Sequence, residues 1–172
     1  MQVAWKAALS RRPTPAGEHR LRELTHSIKA LEAEIADLVA QIAPHLLAEP
    51  GFGPLTAAKL VGEIAGADRF SSDAKLARAA GVAPIPVSSG KTNRHRLDRG
   101  GNRQINTTIH RIAVTRLRCH PETQAYIARK RAEGKSTKEA IRCLKRHLAR
   151  RIWHLLQPPH PELGTAPPPL KT

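Results

Sequence analysis

The sequence predicts a mainly α protein. A long coiled-coil helix leads into a compact helical domain with a helix-hairpin-helix-like motif and a short extended loop segment. Three observations predict this. Apolar residues recur at three- and four-residue spacings through most of the 172 residues. Start and stop residues bracket the periodic runs. The stretch that resists helix, Val82-Ala83-Pro84-Ile85-Pro86-Val87-Ser88-Ser89-Gly90, is stiffened by prolines that push the preceding residues out of the α region.

Residues 1–17 contain Arg11-Arg12-Pro13-Thr14-Pro15-Ala16-Gly17 and read as an unstructured lead. In the helix predicted over 18–43, Leu21, Leu24, Ile28, Leu31, Ile35, Leu38 and Ile42 form a strict heptad seam. A seam that narrow suits pairing with another helix better than packing on its own domain, so a homodimer is expected, its orientation open. Pro44 and Pro50 close the segment.

Residues 44–156 form the expected helical domain. Within 45–66, Pro50-Gly51-Phe52-Gly53-Pro54-Leu55-Thr56 opens an apolar helix like the turn of a helix-hairpin-helix motif. Gly51 and Gly53 permit close backbone approach, and free N–H groups near Thr56 can face a phosphate. A turn packed in the core explains the same residues equally well. A short helix over about 72–80 is capped by Ser71 or Ser72 and stopped by Gly81. After the extended segment, Lys91, Arg94, Arg96, Arg99 and Arg103 crowd a turn-rich stretch beside Ser88 and Ser89.

Ile105, Ile109, Ile112, Ala113 and Leu117 mark the next helix, and His120-Pro121 and Gly134 bound another. Ser136-Thr137-Lys138-Glu139 is a capping-box sequence that starts the last helix. There Ile141, Leu144, Leu148, Ile152 and Leu155 face the core, with Lys138, Arg142, Arg146 and Arg150 nearly opposite. Residues 157–172 are proline-rich and expected to be disordered.

Charge narrows the function. The chain carries 29 Lys and Arg against 14 Asp and Glu, a net of +15. Residues 1–73 have a net charge of −1, residues 74–157 one of +16, and the tail is neutral. An excess confined to half the chain points to a polyanion, nucleic acid first. No apolar run reaches ~18 residues, so no transmembrane span and no membrane partner are expected. The N-terminus lacks the pattern of a secretory signal, and two cysteines make no disulfide framework, so a cytoplasmic location is expected. Phe, Trp and Tyr total five, too few for a base-stacking platform, so phosphate contacts must dominate.

The carboxylates are too scattered for a two-metal cluster. Cys143 and His147 share a helix face, but no zinc-module spacing accompanies them, so no metal site is assigned. Serine remains. A hydroxyl attacking a phosphodiester needs donors for the charge on the equatorial oxygens, and the guanidinium fork suits that task. Ser89 has five cations within fourteen residues, although taken alone Ser-Ser-Gly is a common turn.

The ordered series of heptad helix, Pro50-Gly51-Phe52-Gly53-Pro54, Ala80-Gly81-Val82-Ala83-Pro84, Ser88-Ser89-Gly90-Lys91, Arg96-Leu97-Asp98-Arg99-Gly100-Gly101-Asn102-Arg103 and Arg142-Cys143-Leu144-Lys145-Arg146 spans roughly residues 20–156. It resembles the C-terminal half of the insertion-sequence transposases of the IS-one-ten/one-sixteen/nine-oh-two group. That resemblance implies a recombinase that cuts and joins DNA through a covalent phosphoserine, with Ser89 at the nucleophile position. It also implies a guide RNA and, ahead of the coiled coil, a RuvC-like domain whose four acidic residues hold metal. About 20 residues precede the heptads here, and the first 17 hold no acid. A truncated gene or a late-called start is the expectation. The chain alone then binds DNA and dimerises without recombining it, and Mg2+ is expected only with the missing domain. Two other readings are a non-catalytic helix-hairpin-helix DNA-binding module and a basic RNA-binding protein.

Overall fold

A computed structural model describes residues 14–89, 92–96 and 98–157, with backbone alone for residues 88, 89 and 92–94. The chain forms α1 (Pro15–Ile42), α2 (Pro44–Leu47), α3 (Pro54–Ile64), a 3-10 turn (Ala67–Arg69) and α4 (Asp73–Ala79). A hairpin of β1 (Ile85–Ser89) and β2 (Thr92–Arg96) follows, then α5 (Arg103–Cys119), α6 (Pro121–Ala132) and α7 (Thr137–Leu155).

The first helix begins at Pro15, not at residue 18. Thr14 supplies the reason: its hydroxyl accepts from the Gly17 N–H, and Pro15 fills a first-turn position where an N–H has no partner anyway. Pro44 ends α1 and starts the single turn of α2. Later starts agree with the sequence signals. Ser72 caps α4 by accepting from the Lys75 N–H, and Ser136 and Glu139 form the capping box of α7. Gly81 and Gly134 adopt positive φ where α4 and α6 stop.

The core lies where α3, α5 and α7 meet. Leu60 and Ile64 of α3, Ile109 and Ile112 of α5, and Leu144, Leu148 and Ile152 of α7 are fully buried there, with Leu46 and Leu76 closing the sides. The C-terminal end of α1 packs on α3, while α4 packs on α7. Glu49 ties the turn before α3 to both long helices. Its carboxylate accepts from Arg116 Nη2 of α5 at 2.7 Å and pairs with Arg151 of α7. Burial opposes the charge on Glu49, yet the hydrogen bonds and charges of Arg151 and Arg116 outweigh it and lower its pKa.

Most of α1 leaves this core. Leu21, Leu24, Ile28, Leu31, Leu38 and Ile42 are each between 44% and 67% exposed, and only Ile35 of the seam is half-buried against the domain. The domain instead takes up Val39 and Ala43, which lie outside the seam.

Candidate nucleic-acid interface

The extended segment is more than a loop. Residues 92–96, read from the sequence as part of a cationic turn region, form a second strand antiparallel to β1, with Ile85 opposite Arg96 and Ser89 opposite Thr92. The composition of β2 concealed it: Thr-Asn-Arg-His-Arg has no apolar alternation, because a two-stranded ribbon need not bury a face.

The two ends of this hairpin are fastened together at its root. Gly101, at φ +88°, lies so close to the end of α4 that a Cβ would stand 2.5 Å from the Gly81 nitrogen and 2.6 Å from the Ala79 carbonyl. The Asn102 N–H donates to that same carbonyl at 2.6 Å. The Asn102 side chain caps α5 by accepting from the Gln104 N–H, and its amide donates to Glu63 Oε2 of α3 at 2.7 Å. One turn later, Asn106 Nδ2 donates to the Ala80 and Gly81 carbonyls at 2.9 and 3.1 Å, and its Oδ1 accepts from Lys145 Nζ of α7 at 2.5 Å. Three helices thus hold both strands at their base.

Ser88 and Ser89 are at the far end of β1, paired through the backbone with Asn93 and Thr92. Their side chains, and that of Arg94, are not described. Lys91 lies outside the described residues. Arg96 on β2, Arg99 after it and Arg103 at the start of α5 are all exposed. The structure therefore gathers three of the five cations around the hairpin base and its return to α5.

On α7, Lys138 and Arg142 are exposed to solvent. Arg146 and Arg150 are not free: both donate to Asp73 Oδ2 of α4, at 3.0 and 2.9 Å. The stripe lacks acids only within its own helix, because the balancing carboxylate comes from 73 positions upstream of Arg146. Burial raises the cost of the charge on Asp73, but the two arginines outweigh it and lower its pKa.

At the turn before α3, Gly51 and Gly53 do different things. Gly51 (φ +80°) faces α5, where a Cβ would come within 2.9 Å of Arg116 Cγ; Arg116 Nε donates to the neighbouring Pro50 carbonyl at 2.6 Å. Its glycine requirement is met inside the domain. Nothing lies within 4 Å of a Cβ at Gly53, so that side is open. The Thr56 hydroxyl accepts from the Gly53 N–H and lies 2.8 Å from the Gly53 carbonyl, which commits it locally. A phosphate at this turn would meet the Leu55 and Thr56 backbone N–H groups instead.

Among the described residues, no group of three or more His, Cys, Asp and Glu stands close enough to hold a metal ion. Among them too, no helix is long and apolar enough to cross a membrane.

Residues 43–128, which hold the α3 turn, the hairpin and its Gly-Gly-Asn root, match the Transposase IS116/IS110/IS902 family. The chain belongs to this family. This transposase-family chain is 31% identical over 157 residues to the insertion element IS900 uncharacterized 42 kDa protein of Mycobacterium paratuberculosis, covering 83% of the chain and 39% of that protein. It is 36% identical over 121 residues to the insertion element IS110 uncharacterized 43.6 kDa protein of Streptomyces coelicolor, covering 69% and 30%. With the insertion element IS116 uncharacterized 44.8 kDa protein of Streptomyces clavuligerus it shares 28% identity over 169 residues, covering 90% and 42%. The family chain thus spans less than half the length of these relatives. Asp73, Asn102, Asn106 and Lys145 brace the surface around the hairpin, a role that the sequence assigned to none of them. The Gly100-Gly101-Asn102 run was the available signal, since a helix cap preceded by two glycines marks a close backbone approach.

Proposed function

We propose that this chain is the DNA-binding and serine-nucleophile part of an insertion-sequence transposase, with Ser89 as nucleophile and Ser88 as fallback. The observation that carries the reading is the coincidence of the family match with a serine hairpin whose root is braced by three helices and ringed by cations. The hairpin supplies position, and the arginines of β2 and of its return to α5 supply charge. In the proposed step a serine Oγ–phosphorus bond forms as the bond from phosphorus to the leaving sugar oxygen breaks. The serine proton passes to a nearby acceptor, and guanidinium groups stabilise the equatorial oxygens.

DNA is held through phosphates by Arg94, Arg96, Arg99, Arg103, Lys91, Lys138 and Arg142, and by the open side of the turn at Gly53. Arg146 and Arg150 are held back by Asp73 and join only where that carboxylate is removed. A guide RNA would use the same cationic surface. Two copies pair through the exposed seam of α1, which leaves six large apolar side chains in water when unpartnered. Carboxylates that hold metal would be supplied by an acidic domain of the kind the resemblance implies, and residues 14–157 without it are proposed to bind DNA and pair but not to recombine.

The test supplies the N-terminal part of a relative in trans, with labelled DNA carrying an element end. A detergent-resistant protein–DNA adduct should form, and Ser89→Ala should abolish it while DNA binding is kept. An adduct from the purified chain alone would refute the division of labour. Unchanged adduct formation in both Ser89→Ala and Ser88→Ala would refute the serine assignment.

A further inference from the structure

We propose that the cleft between the hairpin root, α6 and α7 is a phosphate subsite, holding one phosphate group of a nucleic-acid strand on Arg96, Arg142 and Lys145. The proposal rests on the nucleic-acid reading above and names where on this surface a strand enters the protein. The cleft has a volume of about 740 Å³. Its walls come from Gly81–Pro84, from His95, Arg96 and Asp98 of the hairpin, from Tyr126 and Lys130 of α6, and from one face of α7.

Its charges are unevenly answered. Lys130 and Lys135 donate to Glu133, and Arg146 donates to Asp73. Of the acids that line the cleft, Asp98 accepts from the Gly100 N–H, and Glu139 accepts from the Ser136 N–H in the capping box. Among the described residues no carboxylate pairs with Arg96, Arg142 or Lys145. Lys145 is 9% exposed, and its ammonium donates to a neutral amide, Asn106. Burial first, and then Arg142, lower the Lys145 pKa. A buried cation without a counter-charge is costly, and an anion removes that cost.

A second observation is independent of charge. Tyr126, 4% exposed, lines the same cleft, and its hydroxyl has no hydrogen-bond partner among the described residues; neither has Arg146 Nη1, which is also buried. Burial pushes the Tyr126 pKa up to about 12, so the hydroxyl keeps its proton. His147, edge-on to the Tyr126 ring at 5.4 Å, is held below its ordinary pKa by burial and by Arg150, Arg146, Lys130 and Arg129. The floor therefore offers donors. An acceptor-only group such as a phosphate is their complement.

The test follows the His147 ring by NMR while the chain is titrated with inorganic phosphate at constant ionic strength. Saturable binding is expected, with the His147 pKa moving up as the anion offsets the neighbouring cations. Lys145→Met and Arg142→Gln should each weaken it at least tenfold; Arg111→Gln, on the exposed face of α5, should not. Arg142 is solvent-exposed, so its variant decides the matter even if Lys145→Met fails to fold. Tetrathymidylate with and without a 5′-phosphate then competes. Displacement by both assigns an internal diester, and displacement by the phosphorylated form alone assigns a strand end; either supports the proposal. Non-saturating shifts, affinities unchanged by both variants, or phosphate that neither oligonucleotide displaces would overturn it. Duplex binding by anisotropy on the same samples separates the two readings. Duplex binding with an unmoved His147 sinks the subsite alone, whereas saturable phosphate binding without any DNA binding sinks the nucleic-acid reading.

Discussion

On the proposed DNA-binding reading, Asp73 decides how much of the α7 stripe is available to a phosphate backbone. Its Oδ2 accepts from Arg146 and Arg150, and the partners are 22% to 50% exposed. Half-exposed pairs contribute roughly 0.2–1 kcal/mol each. The carboxylate also stands in the first turn of α4, where negative charge adds ~0.3–1 kcal/mol. Asp73→Asn should therefore cost about 1–2 kcal/mol of stability at pH 7. Because the folded pKa of Asp73 is lowered, this contribution is complete above its ordinary value of 3.8 and disappears as the pH falls through the folded value. Binding should move the other way. Each arginine released to a phosphate steepens the slope of log K against log salt by about 0.9, so two add about 1.8. A fourfold rise in NaCl should then weaken the variant about twelvefold more than the wild type. Fluorescence anisotropy with a labelled duplex across a NaCl series reads this directly, with circular dichroism confirming the fold. An unchanged slope in a folded variant would show that the Arg146–Arg150 end never meets DNA.

Glu49→Gln should cost roughly 3 kcal/mol at pH 7, because it leaves Arg116 and Arg151 poorly compensated in a largely buried setting. Since the Glu49 pKa is lowered, the wild-type advantage is full above about 4.5 and should close as the pH falls through the folded value. Urea denaturation at neutral and acidic pH checks it, and a gap that persists in acid would refute the ion-pair account. Gly101→Ala adds ~1–2 kcal/mol of left-handed backbone strain to a clash with the Ala79 and Gly81 backbones. It should speed hydrogen exchange at the Asn102 amide, and unaltered protection there would contradict the clamp at the hairpin root. Leu31→Glu, at a seam position 58% exposed, should give a monomer in sedimentation with the domain's unfolding midpoint unchanged. An unaltered mass would remove α1 as the pairing surface.

The helices were legible because each carries both a period and a boundary. The Ser136–Glu139 box placed the start of α7, Leu144, Leu148 and Ile152 gave its buried face, and the seam on α1 predicted side chains that the domain leaves exposed. The strand β2 was not legible, since a polar ribbon held by its backbone has no hydrophobic period to read. The sequence left the role of Gly51 open for a related reason. A glycine that makes room for Arg116 across 65 residues has the same local sequence as one that makes room for a phosphate. Asp73 likewise gave no local signal, because its arginine partners are distant in the chain and adjacent only once α4 packs on α7.

The central claim is that the basic half of this transposase-family chain grips DNA by its phosphates around a braced serine hairpin. Equilibrium binding to a labelled duplex over a range of NaCl tests it most directly, comparing the wild type with a chain carrying Arg96→Gln, Arg99→Gln and Arg103→Gln. The wild type should bind tightly and with steep salt dependence. In the variant the slope should be shallower by about 0.9 for each phosphate no longer neutralised, so by up to about 2.7. Equal slopes and affinities for the two proteins would contradict it.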